Sequence, residues 1–187
     1  KLLNQEFKFL QSKYHLPKID KSTWKFSKTR PANFPTVRLA QFSSLVFHSV
    51  HLFSKLMDAK TIKDVNTMLA VKINPKLNLN TIHPVNHIKI THPGTQFIQH
   101  LIINAIVPIK FLYGKKTLNE NHCDTALQWM EEIKAEINST VSFWKKNGLT
   151  AQNALQSQAM LNLTKNYCQA HRCLTCVIGN HILQQHA

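Results

Sequence analysis

A mainly α-helical fold is what this sequence predicts, on three observations. Apolar residues recur at three- and four-residue intervals through most of the chain, the period of a helix with one buried face. Only 4 of the 187 residues are glycine, too few for an all-β protein full of tight turns. Pro or a hydroxyl residue before a periodic run, and Gly after it, repeatedly mark helix starts and stops. The expected architecture is a single domain over residues 1–187. It is a compact bundle of roughly six to seven helices, with an irregular basic segment and a short cysteine-containing hairpin at the C-terminus.

The elements follow in order. Leu2, Leu3, Phe7 and Leu10 give an amphipathic helix over 2–14, ended by Pro17. Residues 18–38 are irregular and basic, with Trp24, Phe26 and Phe34 set among lysines and arginines that face only Asp20. Arg30-Pro31 and Phe34-Pro35 push the preceding residues out of the α region. Pro35 then suits the first turn of a helix. Leu39, Phe42, Val46, Val50, Phe53 and Met57 form a stripe, widened by Leu45, Leu52 and Leu56, that predicts one central core helix over 36–57. Thr61 caps a short helix through Leu69. Residues 72–94 carry Pro75, Pro84, Pro93 and Gly94 and read as a loop with at most one short strand.

Thr95 caps a helix to Tyr113 with Ile98, Leu101, Ile102, Ala105, Ile109 and Leu112 on its buried face. Pro108 kinks it and Gly114 ends it. Residues 121–134 and 139–147 are helical, the second with Phe143 and Trp144 buried and Gly148 as its stop. Residues 151–167 form a helix on Leu155, Ala159, Leu163 and Tyr167, and a short helix over 174–185 closes the chain.

Lys and Arg number 23 against 9 Asp and Glu, a net charge of +14. Such a field favours DNA, RNA or another polyanion as partner. The longest apolar run, Leu101–Tyr113, contains Asn104 and Lys110 and is too short to span a bilayer, so no membrane is expected. The chain opens on Lys1, without Met or a signal peptide, and is expected to be a fragment of a longer protein. Four cysteines, three of them clustered, suit a reducing cytoplasm better than a disulfide framework.

Three of the four cysteines form C-x4-C-x2-C: Cys168, Cys173 and Cys176. A thiolate trio at this spacing suits zinc, with Cys123 or His181 as fourth ligand. An iron–sulfur cluster is the lesser alternative, because its pattern needs a further cysteine and none follows Cys176. The competing reading is three reduced thiols that pack as small apolar groups. No G-x-S-x-G, Gly-rich phosphate loop or H-E-x-x-H is present, and no catalytic constellation is found. Asp124 with Glu132-Ile133-Lys134 imitates a nuclease motif, but on a helix and not at strand ends around a metal.

Arg30-Pro-Ala-Asn-Phe-Pro-Thr-Val-Arg38-Leu-Ala-Gln41, Leu52-Phe-Ser54, Ile103-Asn104 with Pro108 and Tyr113-Gly114, Ser157-Gln-Ala159, and Tyr167-Cys168 through Gly179 form an ordered set of motifs. Together they resemble the C-terminal half of a bacterial family, mainly of Bacteroidetes, catalogued as domain of unknown function 2851. The resemblance runs nearly end to end, apart from 72–94. It implies an accessory domain: fuller family members carry an N-terminal half whose spaced acids look like a nuclease core. The leading expectation is therefore a nucleic-acid-binding accessory domain of a nuclease-like protein. Lys25, Lys28, Arg30 and Arg38 would meet phosphates, and Trp24 or Phe34 would stack on bases. The alternative is a structural or protein-interaction domain, held by a zinc knot and docking on its own missing N-terminal half. A large exposed apolar face would favour that alternative.

Overall fold

The structure, a computed structural model, describes residues 2–26, 33–74 and 92–185. It is mainly helical. Among the described residues there is no strand, and Lys134 and Asn153 form one isolated antiparallel bridge. The chain divides into two compact units, Lys1–Leu45 with Lys72–His92, and Val46–Val71 with Pro93–Ala187. The strand envisaged within 72–94 falls almost wholly outside the described residues.

In the first unit, α1 (Leu2–Tyr14) stops where expected: His15 takes a left-handed φ of 52° and Pro17 follows. The unit's core is Phe34, Val37 and Ala40, with Phe26 and Ile73 packed against it. These buried positions open α2 (Pro35–His48), whose buried residues are Val37, Ala40, Gln41 and Ser44. Ser44 also accepts the backbone N–H of Asn74 through its Oγ, at 3.0 Å.

The predicted central helix over 36–57 is broken. α2 ends at His48, and α3 (Leu52–Asp58) restarts after His51 at φ 60°. Of the predicted stripe only Met57 is buried, at 3%. Leu39, Phe42, Val46, Val50 and Phe53 are 49–64% exposed. The helical period was read correctly and the buried face was not. The side of α2 that packs carries small and polar residues, Ala40, Gln41 and Ser44, which an apolar count passes over.

The second unit is built around α5 (Thr95–Thr117). It follows α4 (Ile62–Leu69), which Thr61 caps as expected; with Asp64 it closes a capping box. α5 packs along α6 (Glu120–Glu132) and against α3. Pro108 has no N–H for the carbonyl one turn back. The helix accommodates it by widening to a π-turn over Ile102–Ile106, with Val107 N–H on the Ile102 carbonyl. Gly114 does not end the helix. It lets α6 approach: a Cβ there would sit 2.8 Å from Cys123 Sγ and 2.9 Å from the Asn119 carbonyl oxygen. Leu118, at φ 55°, makes the turn instead. By length and composition α5 is apolar enough to cross a membrane. In the structure Ile98, Ile102, Ile103, Ile106, Val107, Lys110 and Gly114 are buried within the protein.

Lys110 is 1% exposed. Its ammonium donates to the carbonyls of Met57 and, at 2.9 Å, Ala59, and stands 4.8 Å from the centre of the Trp129 ring. The two carbonyls lie at the C-terminal end of α3, where a cation is favoured by the helix dipole. Trp129 Nε1 donates to the Lys60 carbonyl at 3.4 Å. One cation thus joins α3, α5 and α6. The remaining helices are α7 (Ser139–Lys146), α8 (Ala154–Leu163) and α9 (Val177–Gln185). Asn119, Asn138 and Asn153 cap α6, α7 and α8 through their side-chain oxygens. Phe143 of α7 is 59% exposed rather than buried.

Lys110→Met should lower stability in urea unfolding by roughly 1–3 kcal/mol, because it strips two buried carbonyls of their donor. Burial pushes the Lys110 ammonium below its ordinary pKa of 10.5, opposed by the Asp58 carboxylate. The unfolded chain therefore holds this proton more tightly than the folded one. Stability from Lys110 rises with pH from its folded pKa up to 10.5, and Lys110→Met should remove that rise. Gly114→Ala should cost roughly 1–3 kcal/mol by forcing α5 from α6, read as a fall in the urea midpoint.

Candidate functional site

The exposed apolar surface of the second unit begins where the α2 register turns its large residues outward. Val46, Phe47, Val50 and Phe53 are 53–73% exposed. Phe53 meets Tyr113 of α5 edge to face, with ring centres 5.6 Å apart, and Tyr113 meets His122 of α6 at 5.3 Å. Ile109, one turn before Tyr113 on the same side of α5, and its neighbour Leu112 are 46% and 58% exposed. The Phe53–Tyr113 contact therefore joins the apolar residues of α3 to those of α5. Large uncovered apolar side chains joined across two helices in this way mark an interaction surface more often than a chance scatter does.

The expected nucleic-acid contacts lie in the first unit. Lys25 is exposed and Trp24 half-buried. Lys28 and Arg30 fall outside the described residues. Phe34 is a core residue, 5.6 Å from the Phe26 ring centre. Arg38 donates to Gln41 Oε1 at 2.7 Å and to Asn33 Oδ1 at 2.5 Å. Burial lowers its pKa from the ordinary arginine value. The Phe34 and Arg38 side chains both take part in this unit's own packing.

The cysteines divide. α8 runs on through a π-type stretch, Thr164–Cys168, and then a turn in which Arg172 N–H reaches the Tyr167 carbonyl at 2.9 Å. This turn brings Cys168 back beside the 3-10 segment Cys173–Thr175. Cys168, Cys173 and Cys176 line one small cavity of about 130 Å³ with Trp144, Tyr167 and Ile178. Trp144 is fixed over it by a 2.7 Å bond from Nε1 to Thr164 Oγ1. Cys123 is not part of this cavity. It is buried on α6, with its thiol 3.5 Å from the Phe111 carbonyl. His181 is exposed, with Nε2 3.1 Å from Gln185 Nε2. Neither residue proposed as fourth ligand lines the cavity. Among the described residues no group of three or more His, Cys, Asp or Glu is arranged to hold a metal ion.

One arrangement escaped the sequence. A polar cleft of about 260 Å³ is lined by Gln96, Gln99, His100, Lys134 and Glu136 among others. His100 Nδ1 lies 3.3 Å from Glu136 Oε1, and Gln158 donates to the other carboxylate oxygen. Buried Ser157 receives the Glu136 backbone N–H at 3.2 Å. His100 and Glu136 are far apart in sequence and share no motif, so no spacing signal could have paired them. No Ser, Thr or Cys is among the cleft-lining residues. Asp124, Glu132 and Lys134 are each exposed, as expected of a solvated helix and its end.

Residues 1–139 match the family model described as protein of unknown function (DUF2851). The chain belongs to this family. No curated protein and no solved structure matches it. The matched residues include α1 to α6 and hence the apolar face. The cysteine cavity and the Ser157-Gln158-Ala159 motif lie beyond them.

Thiol reactivity tests this placement. Native protein treated with a maleimide should label at Cys168, Cys173 and Cys176 at least tenfold faster than at Cys123, which should react only on unfolding. Equal rates at all four would contradict the buried position of Cys123.

Proposed function

We propose that this chain is a protein-interaction domain whose apolar face on α2, α3 and α5 docks an acidic polypeptide with an apolar helical surface. The observation that carries it is the outward-facing row Val46, Phe47, Val50, Phe53, Ile109 and Leu112. Apolar burial would supply the affinity. The partner's charge follows from complementarity. At +14 the chain repels a second copy of itself and attracts acidic surfaces, which speeds encounter and selects among partners. Lys55 on α3 and Lys115 and Lys116 on α5 are exposed on the same helices and supply the basic rim.

The net charge also supports a second reading, polyanion binding as expected of an accessory domain of a nuclease-like protein. Salt separates the two readings. Nucleic-acid affinity falls steeply with salt because each neutralised phosphate releases counterions. Apolar docking retains affinity when charge is screened.

The test uses fluorescence anisotropy at several salt concentrations. The probes are a synthetic Glu-rich helix with Leu at i, i+3, i+4 and i+7, a duplex DNA, and vesicles of anionic phospholipid. The expected result is peptide binding that persists at high salt and weakens at least tenfold in Val46→Glu/Val50→Glu, with circular dichroism unchanged. Binding of DNA or vesicles alone, or peptide binding untouched by the double substitution, would overturn the docking reading.

A further inference from the structure

The cysteine cavity lies apart from the docking face and has a chemistry that the interaction reading does not use. Cys176 N–H donates to the Cys173 carbonyl at 3.2 Å, closing the 3-10 turn Cys173–Thr175. Residues at the two ends of such a turn have Cα atoms within about 7 Å, and a disulfide needs roughly 4.4–6.8 Å. Backbone distance alone would not aim the sulfurs at each other. Both residues, however, line the same small cavity beside the turn. Both are free thiols. Cys173 is exposed and Cys176 half-buried, so small solutes reach them.

The turn is also held in place. A Cβ on Gly179 would lie 2.6 Å from the Cys173 carbonyl oxygen and 3.1 Å from its Cα, so the first turn of α9 rests directly on the Cys173 backbone. Asn180 N–H donates to the Cys176 carbonyl at 2.8 Å. One cysteine is pressed against α9 by the glycine and the other is tied to it by the hydrogen bond. The pair therefore holds its spacing without help from a metal.

We propose that Cys173 and Cys176 are a reversible two-electron thiol–disulfide site whose oxidant is a peroxide. One thiol gives up its proton and attacks a peroxide oxygen as thiolate, the O–O bond breaks, the sulfur becomes a sulfenic acid, and the leaving hydroxide takes up that proton as one water. The second thiol attacks that sulfur, the S–O bond breaks, and a second water leaves as the disulfide forms. The two thiols give up two electrons and the peroxide is reduced to water, so atoms and charge balance. A dithiol reductant restores the pair by exchange. Cys168 lines the same cavity but belongs to the preceding π-type stretch, outside the turn that fixes the other two.

The experiment treats the whole chain with a slight molar excess of hydrogen peroxide and maps disulfides by mass spectrometry without reduction. Wild type, Cys168→Ser, Cys173→Ser and Cys176→Ser are compared, with circular dichroism confirming that each is folded. Wild type and Cys168→Ser should lose two hydrogens and yield a Cys173–Cys176 linked peptide that dithiothreitol abolishes. Cys173→Ser and Cys176→Ser should stop at sulfenic or sulfinic acid on the remaining thiol. A bridge that uses Cys168, a bridge between chains, or sulfinic acids without any bridge in the wild type would overturn the proposal.

Discussion

The second unit depends on a cation buried where only apolar groups were expected. An unpaired ammonium in the interior would cost several kcal/mol. Lys110 is tolerated because two carbonyls at the end of α3 and the face of Trp129 replace its water. Those partners are obligatory, so Lys110 fixes where α3 ends against α5 and which side of α6 faces both. The Gly114–Cys123 approach sets the spacing of α5 and α6 one turn further on. Phe53 on α3 and Ile109, Leu112 and Tyr113 on α5 lie on helices that this buried charge joins.

This is also where sequence reading succeeded and failed. Helix existence was legible: Pro17, Thr61, Gly148 and the three- and four-residue periods located most elements closely. The start of α2 at Pro35 was legible for the same reason, since proline suits the first turn. Which face each helix buries was legible only in part: in α5 Ile98 and Ile102 are buried as expected, while Ile109 and Leu112 are exposed. In α2 the packed side is Val37, Ala40, Gln41 and Ser44, and in α5 it includes Lys110 and Gly114. A periodicity argument ranks residues by hydrophobicity, and here close approach and hydrogen bonding outranked it. Pro108 was read as a kink because the π-turn that absorbs its missing N–H has no sequence signature of its own.

The candidate sites show the same division. Local spacing correctly brought Cys168, Cys173 and Cys176 to one cavity, because a turn and a 3-10 segment are short-range objects. Long-range partners were beyond it. Cys123 was a candidate ligand by residue type alone, and the structure spends it between α5 and α6. Phe34 and Arg38 were candidates for base and phosphate contacts. Phe34 packs in the first unit's core beside Phe26, and Arg38 bridges Asn33 and Gln41 at the start of α2, the ordinary roles of an aromatic anchor and a forked donor. The His100–Glu136 pair is the converse case: a polar contact that only the fold could assemble.

The central claim is that Lys110 is sequestered, and lysine-specific footprinting tests it without perturbing the sequence. Native protein is reductively methylated for increasing times and each lysine is followed by peptide mass spectrometry. Lys116, exposed on the same helix, serves as internal standard. Lys110 should stay unmodified while Lys116 is fully methylated, and should react only when urea unfolds the chain. Modification of Lys110 at a rate near that of Lys116 would mean that the ammonium is in water, and that α3, α5 and α6 are not joined as described.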